Sequence, residues 1–300
     1  MESRRVAVIL NPTAGAEKEG ALLGRLTEIF TQHNIQSEIH LIGPGDEITK
    51  IAQAAARGGN FAVIAGGGDG TVSAVASALL NTECALGVLP VGTLNHFAKD
   101  LGIPLDAEKA AEIIATGEIR RVDVGEINGK IFINNSSLGL YPSLVRGRNQ
   151  ELRLGRSKWM AFLWALLAVL RRYPLLGVRL TSGDGQQITR RTPVVFIGNN
   201  QYEMKGFEIG TRASLVQGKL AVYVAHHNGR AALIRMGMGA VLGSLHRGAD
   251  FDFLSAEELQ IESARRKIHV STDGEVSTQV PPLIYRIRPL ALRVIVPAAK

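Results

Sequence analysis

A run of glycines ending in Asp69 constrains this chain most, because it stands between an apolar segment and a helical pattern. Residues 61–65 form the apolar segment, which is typical of a short buried strand. Beyond the glycines, apolar residues recur from Val72 to Leu79 at the spacing of one helix face. The glycines therefore predict a strand-to-helix turn whose backbone N–H groups bind an anion such as a phosphate at the helix N-terminus.

This glycine-rich turn, Gly66 to Thr71, differs from two familiar nucleotide-binding signatures. No lysine follows Gly70, so the turn is not a Walker A loop. Thr71 stands where the third glycine or alanine of a dinucleotide-binding fingerprint belongs. Asp69 is the unusual member, because a carboxylate beside a phosphate site repels the ligand. It indicates a metal ion or a hydroxyl group at the site, and the alternative is a cap on the following helix.

Two further turns of the same kind follow strand-like segments. Residues 6–10 lead into the segment from Asn11 to Gly15, and residues 86–90 lead into a turn that contains Gly92. Parallel strands end at one edge of a sheet, so all three turns are expected to meet there. Strand and helix patterns alternate up to about Asp123, which predicts an α/β domain with a parallel sheet.

The rest of the chain has a different pattern. The pair Asn128-Gly129 predicts a β-hairpin. Strand-like segments follow it at residues 176–181, 188–199, 219–225, 260–261, 267–271 and 283–296. They predict a mainly β, sandwich-like second domain.

One segment, residues 159–170, is apolar on every face but shorter than the roughly 20 residues that cross a bilayer. It is either a buried helix, or the wall of an acyl-chain cavity or a membrane contact.

Four motifs together resemble the diacylglycerol kinase catalytic family, which includes bacterial soluble lipid kinases and sphingosine kinases and is related to NAD kinases. They are Asn-Pro-x-x-Gly from Asn11, Gly-Gly-Asp-Gly-Thr from Gly67, Gly-Thr-x-Asn from Gly92 and Asp-Gly-Glu from Asp273. The resemblance covers nearly the whole chain. It implies ATP-dependent phosphorylation of a lipid hydroxyl, with a diacylglycerol-like lipid as acceptor.

Pattern and resemblance together divide the chain into two domains. The first is a nucleotide-binding α/β domain of the NAD kinase/diacylglycerol kinase-like type over residues 1–124. In the family the last segment, here residues 286–300, returns to that domain. The second is a β-rich lipid-substrate domain over residues 125–285.

The resemblance also implies a role for each motif. Asp273 is the general base that takes the proton of the lipid hydroxyl, and Glu275 assists it or shares the metal. Asp69 orients Mg²⁺ or the nucleotide, so the expected cofactors are ATP and Mg²⁺. The nucleotide is expected to contact the residues of the three turns, which are Asn11, Gly66, Gly67, Gly68, Asp69, Gly70, Thr71, Gly92, Thr93 and Asn95. Taken alone, Asp-Gly-Glu is also an ordinary turn between strands.

The chain departs from the family pattern in two places. His96 stands where many members have an acidic residue after Gly-Thr-x-Asn. The family's acidic loop, Asp-Asp-Gly-x-Leu-Asp, aligns with residues 216–221, where Val216, Gln217 and Ala221 replace its three carboxylates. Hard cations need oxygen ligands. We therefore predict that the structural Mg²⁺ that some relatives hold in this loop is absent.

The net charge of the chain indicates which classes of binding partner it favours. The net charge is +7, from 34 Lys+Arg against 27 Asp+Glu, which favours anionic partners such as nucleotide phosphates and an anionic membrane surface. The basic residues lack an aromatic-interleaved platform, which argues against nucleic acid as a partner.

The chain has a single cysteine, Cys84, which is expected to be a small buried residue in a protein of a reducing compartment. With no evident signal peptide, we expect a cytoplasmic protein that visits the inner membrane face peripherally. Its oligomeric state is open, with a homodimer as one option.

Two other functions stay open at this point. An NAD kinase-like enzyme, acting on a soluble small molecule, shares the Gly-Gly-Asp-Gly turn. The apolar segment 159–170 and the Asp-Gly-Glu element argue against it. A non-catalytic nucleotide or lipid sensor would explain the lost acidic loop, but Asp69 and Asp273 argue against a pure binding protein.

Overall fold

The computed structural model describes residues 4–11, 16–43, 46–140, 142, 175–205, 208–212, 214–225 and 251–298. The chain forms two compact units, the first from Met1–Val124 with Pro289–Lys300 and the second from Gly125–Arg288. The apolar segment 159–170 and the histidine pair 226–227 lie outside the described residues. Within the described residues, no helix has both the length and the apolar character needed to span a membrane.

The first unit alternates strands and helices. Its elements are β1 (Arg4–Leu10), α1 (Ala16–Gln32), β2 (Ile35–Leu41), α2 (Ile48–Arg57), β3 (Ala62–Gly66), α3 (Asp69–Leu79), β4 (Ala85–Leu89), α4 (His96–Asp100) and α5 (Ala107–Thr116). The strands lie in the order β2, β1, β3, β4 and run parallel. The chain leaves this unit within β5 (Glu118–Ile127) and re-enters it within β18 (Leu283–Val296), where Val294 pairs with Leu86 in parallel.

Burial in the core of the first unit explains why its strands can be predicted from the sequence. Every residue of β3 and β4 is buried. Strands covered on both faces by helices are near-continuous apolar runs rather than alternating patterns. Helix α3 buries Val72, Val75 and Leu79 on one face, and α5 begins after Asp106, whose carboxylate accepts the N–H of Lys109. The predicted α/β domain with a parallel sheet is confirmed.

The thiol of Cys84 gives a prediction for the pH dependence of stability. Cys84 is 6% exposed, and burial raises the pKa of its thiol from 9.0 to about 11 because apolar surroundings disfavour the thiolate. The unfolded chain therefore loses this proton at lower pH than the folded protein does. The contribution to stability is intact below pH 9.0 and is lost as pH rises towards about 11. Urea unfolding at a series of pH values should show this loss in the wild type and not in Cys84→Ala. Equal pH slopes in the two proteins would contradict it.

The second unit is built from strands. They are β6 (Lys130–Phe132), β7 (Asn135–Gly139), β8 (Leu176–Ser182), β9 (Gln187–Thr192), β10 (Val194–Asn199), β11 (Tyr202–Lys205), β12 (Glu208–Arg212), β13 (Leu220–Ala225), β14 (Phe251–Ala256), β15 (Glu258–Glu262), β16 (Ile268–Thr272) and β17 (Glu275–Gln279). One sheet has the order β14-β13-β10-β7-β16-β17, with antiparallel neighbours.

A second group of strands belongs to this unit, and β11 and β12 form a separate antiparallel pair. In the second group β15 pairs with the first part of β18 and with β8, and β8 pairs with β9, all antiparallel. Side chains from both groups share one buried apolar core, which includes Leu138, Val222, Ile261 and Leu283. The predicted mainly β, sandwich-like domain is confirmed.

Three local expectations can be compared with the strands. The hairpin at Asn128-Gly129 is present, with φ of 46° and 84° as a two-residue hairpin turn requires. The predicted strand 188–199 is wrong as a single element, because Pro193 lacks an N–H and separates β9 from β10. Residues 134–139 follow a strand-like run and are mostly polar, a sequence pattern that fits either a plain turn or the lining of a cleft, but most of them form β7. Pairing on both sides, with β10 and β16, outweighs their polar composition.

Candidate active site

Asn11 and two turns of the first unit meet at the carboxyl ends of β1, β3 and β4. Asn11, directly after β1, donates its backbone N–H to the carbonyl of Gly66 at 2.8 Å. Its Nδ2 donates to Oγ1 of the buried Thr71 at 3.4 Å. The N–H of Gly67 donates to the carbonyl of Leu89, the last residue of β4, at 3.2 Å. The structure thus brings these predicted contact residues together at one edge of the sheet.

Two of the turns touch through bare backbone. A Cβ on Gly92 would lie 2.3 Å from Cα of Gly68 and 2.9 Å from its nitrogen. A Cβ on Gly67 would lie 2.5 Å from Oγ1 of Thr71. Neither Gly67 nor Gly92 has a positive φ, so close approach rather than backbone conformation requires glycine at these two positions. Gly70 differs, because nothing lies within 4 Å of a Cβ there.

The N-terminus of α3 lies at this contact. Gly68 is its N-cap residue and has no side chain that could cap the helix. The first N–H groups of a helix have no acceptor within the helix and point out of its positive end. A phosphate fits such an end, and the missing Cβ of Gly68 lets it approach the backbone. The residues present therefore fit the phosphates of a nucleotide.

Asp69 joins the glycine-rich turn to α4. Its two carboxylate oxygens accept the N–H groups of His96 at 3.4 Å and Phe97 at 3.3 Å. Asp69 is itself the first residue of α3, so the expectation that it caps that helix is wrong. It caps α4, whose first N–H groups need acceptors. A single carboxylate beside a phosphate site also fits Mg²⁺, which is usually bound by one or two carboxylates together with the substrate phosphates.

Substitution of Asp69 distinguishes its role as a helix cap from a role in ligand binding. Asp69→Ala should lower the free energy of unfolding by about 1 kcal/mol, the usual cost of a lost cap. Asp106→Ala removes the cap of α5 and should cost a similar amount. Only Asp69→Ala should also weaken ATP binding, measured by titration calorimetry. Equal ATP affinities in the two variants would contradict a role for Asp69 at the nucleotide.

Asn95 and Thr93 occupy different environments in the third turn. Asn95 has a left-handed backbone (φ 51°) and is 7% exposed. Its Nδ2 donates to the carbonyls of Pro90 at 3.1 Å and Gly92 at 2.9 Å, so its side chain braces the turn from within. Thr93 is exposed at the tip. Of these two predicted contact residues, Thr93 has the side chain accessible to a ligand.

Asp273 lies in the second unit, at the turn between β16 and β17. Both Asp273 and Gly274 have positive φ, 48° and 84°. Its Oδ2 accepts the N–H of Ile133 at 2.8 Å, and Oδ1 accepts those of Asn134 at 2.9 Å and Asn135 at 3.0 Å. Its own N–H donates to the carbonyl of Asn135 at 2.9 Å. The three bonds to the carboxylate and this backbone bond fix Asp273 on residues 133–135, which run from the end of β6 to the first residue of β7.

Glu275, two residues further on, has a different environment. Its carboxylate forms an ion pair with Nζ of Lys130 at 3.1 Å, and its side chain is 66% exposed. Exposed ion pairs of this kind contribute about 0–1 kcal/mol. Lys130 carries no motif in the sequence, and it reaches this turn from β6, 145 residues earlier in the chain.

A buried polar cluster behind Asp273 was not predicted. Its members are Asn134, Asn199, Tyr202 and Arg212, each 7% exposed or less. In the sequence they are polar residues that lie in or beside strand-like segments. Only Asn134 and Asn199 carried a signal, because each belongs to an Asn-Asn pair that ends a strand-like run.

The segment aligned with the family's acidic loop is held by amide groups. Oε1 of Gln217 accepts the N–H of Gln201 at 3.0 Å, and the N–H of Gln217 donates to Oδ1 of Asn200 at 3.2 Å. Val216 and Gln217 are exposed, and Ala221 is buried in β13. Residues 216–221 offer no carboxylate, so they do not fit a hard-cation site. The missing structural Mg²⁺ stays a prediction.

Comparison with known proteins gives matches along the chain. A family model of the diacylglycerol kinase catalytic domain matches residues 5–127, and one of the YegS C-terminal NAD kinase beta sandwich-like domain matches residues 140–296. The diacylglycerol kinase of Bacillus subtilis (strain 168) is 28% identical over 284 residues, covering 93% of this chain and 92% of that protein. The diacylglycerol kinase of Mycobacterium tuberculosis is 28% identical over 305 residues, covering 99% and 96%.

A solved structure shares the fold. The crystal structure of a diacylglycerol kinase from Bacillus anthracis strain Sterne superposes with a TM-score of 0.72 at 21% identity. The match covers 98% of this chain and 97% of that one.

Proposed function

This chain belongs to the family of lipid kinases that combine a diacylglycerol kinase catalytic domain with a YegS-type C-terminal domain, and is thus a phosphotransferase with an alcohol acceptor. From that premise we propose that it transfers the γ-phosphate of ATP to the hydroxyl of a diacylglycerol-like lipid. The observation that carries this proposal is the contact of Gly92 with Gly68 beside the N-terminus of α3, where a Cβ on Gly92 would lie 2.3 Å from Cα of Gly68. We refer to these two turns and the helix N-terminus as the phosphate cradle, because the first N–H groups of a helix suit a phosphate.

The first unit would hold the nucleotide. Backbone N–H groups of the glycine-rich turn bind its phosphates, and Asn11 and Thr93 add side-chain contacts. Asp69 lies at the same helix N-terminus and would hold Mg²⁺. When bound, MgATP supplies the phosphoryl group and neutralises part of its charge.

The second unit would supply the general base. Asp273 takes the proton of the lipid hydroxyl, a role that typically contributes about 10²–10⁴ in rate. Three hydrogen bonds to its carboxylate and one from its backbone N–H hold Asp273 on the Ile133–Asn135 segment, so little reorganisation precedes proton transfer. Glu275, paired with Lys130, would assist from the neighbouring strand.

The proposed lipid substrate and the positive net charge both favour action at a membrane surface. A diacylglycerol-like lipid resides in a bilayer, and the net charge of +7 favours an anionic surface. We place the protein in the cytoplasm, bound peripherally to the inner membrane face while it acts.

A second candidate has one specific observation in its favour. The C-terminal match carries the description NAD kinase beta sandwich-like, so a soluble acceptor such as NAD is the alternative. The test is incubation with ATP labelled at the γ-phosphate and a panel of neutral lipids, sphingoid bases and NAD. We expect label in a neutral lipid. Label in NAD alone selects the alternative, and nucleotide binding without any transfer selects a non-catalytic protein.

A further inference from the structure

A buried guanidinium lies behind the segment that holds Asp273. Arg212, the last residue of β12, is 5% exposed. Its Nη1 donates to the carbonyl of Ile133 at 2.7 Å and to that of Asn199 at 3.0 Å, and its Nη2 donates to Oδ1 of Asn134 at 2.9 Å. Its guanidinium carbon lies 5.4 Å from the ring centroid of Tyr202. A buried cation is costly unless it is hydrogen-bonded, and here two of these three bonds go to the short segment that holds Asp273.

Asn199 and Tyr202 bond the same segment. Nδ2 of Asn199 donates to the carbonyl of Ile133 at 2.9 Å, and its backbone N–H donates to the carbonyl of Asn134 at 2.9 Å. The hydroxyl of Tyr202 donates to the carbonyl of Asn134 at 3.0 Å. Each of the two carbonyls therefore accepts two hydrogen bonds from the buried cluster.

These two carbonyls belong to the peptide groups that hold Asp273. The carbonyl of Ile133 and the N–H of Asn134 are two ends of one peptide group, and the carbonyl of Asn134 and the N–H of Asn135 are two ends of the next. Both N–H groups donate to Oδ1 of Asp273. A donor at the carbonyl polarises a peptide group and strengthens its N–H as a donor. One peptide group thus lies between the buried cation and the carboxylate.

We propose that Arg212 is a positioning residue for Asp273, acting through the peptide groups of Ile133, Asn134 and Asn135. The proposal rests on the function proposed above, in which Asp273 is the base. A guanidinium suits this task because its planar fork reaches two carbonyls and an amide oxygen at once. The compact ammonium of a lysine cannot reproduce that fork.

Amide hydrogen exchange tests the positioning without relying on catalysis. In Arg212→Gln, the N–H groups of Ile133, Asn134 and Asn135 should exchange about tenfold faster than in the wild type, because the segment loses its buried anchor. Arg212→Lys carries the same test where Arg212→Gln does not fold. Arg179→Gln is the matched control, since Arg179 lies on β8 with a side chain 60% exposed, and it should leave these rates unchanged. Wild-type exchange rates in both Arg212 variants would overturn the proposal.

Steady-state kinetics test whether the positioning of Asp273 by Arg212 affects the rate of phosphoryl transfer. Arg212→Gln should lower kcat about tenfold with an unchanged KM for ATP, because a slightly misplaced base slows the reaction without altering nucleotide contacts. In an Asp273→Asn background the same substitution should lower kcat no further. A further tenfold fall there would overturn the proposal. A wild type that binds ATP but phosphorylates no acceptor would refute the proposed function alone, and the exchange rates would still decide the positioning.

Discussion

Asp273→Asn should lower kcat for lipid phosphorylation by about 10²–10⁴-fold, the usual contribution of a general base, while ATP affinity stays unchanged. The substitution keeps the size of the side chain. It also replaces one carboxylate oxygen, which accepts an N–H of the Ile133–Asn135 segment, by an amide nitrogen that cannot accept one. A loss of about 1–2 kcal/mol in the free energy of unfolding should therefore accompany the kinetic effect. Rates should be measured well below the unfolding temperature, with ATP binding followed by calorimetry.

A matched control separates the chemical role of Asp273 from its structural one. Asp184 lies in the turn between β8 and β9, where its carboxylate accepts hydrogen bonds from Ser182 and Gln186. Asp184→Asn makes the same change in another turn of the second unit and should keep the wild-type kcat. If Asp273→Asn loses stability but keeps its kcat, Asp273 serves only to hold the Ile133–Asn135 segment and the base assignment is wrong.

Gly92→Ala should weaken ATP binding by about 100-fold, equivalent to roughly 2.8 kcal/mol. The added Cβ would lie 2.3 Å from Cα of Gly68, 2.8 Å from Oδ1 of Asn95 and 2.9 Å from the nitrogen of Gly68. Two of these atoms are backbone, so the clash is relieved only by separating the two turns that form the cradle. Overpacking of this kind typically also costs about 1–3 kcal/mol of stability. Titration calorimetry and urea unfolding measure the two effects.

The control for this substitution is a glycine with room for a side chain. Gly24 lies in α1, and nothing lies within 4 Å of a Cβ there. Gly24→Ala should leave ATP binding unchanged and raise stability by up to about 1 kcal/mol, because alanine favours a helix. Wild-type ATP affinity in Gly92→Ala would show that the contact between the two turns is not part of the nucleotide site.

The parts of this fold that could be predicted from the sequence have strong local signals. Strands β3 and β4 are fully buried, so they appear as unbroken apolar runs, and a glycine-rich turn follows β3. The turn at Asp273 and Gly274 is likewise a local pattern between two strands. Such signals are sufficient to predict the α/β domain, the hairpin at Asn128-Gly129 and the strands around the candidate base.

The remainder depends on contacts between residues far apart in the chain. Asp69 caps α4 rather than α3, and its partner His96 is 27 residues away. Arg212 contacts Ile133 across 79 residues. Asn95 turns inward to brace its own turn, which the motif does not indicate. No periodicity encodes these pairings, because they follow from how the strands are arranged in the sheets.

The most direct test compares the ADP formed with the phosphate transferred to lipid, using purified protein, ATP labelled at the γ-phosphate and vesicles that contain a diacylglycerol. A lipid kinase should form labelled lipid phosphate and ADP in equal amounts, and Asp273→Asn should lose both together while still binding ATP. ADP formation without labelled lipid, or label that appears only when NAD is present, would contradict the assignment.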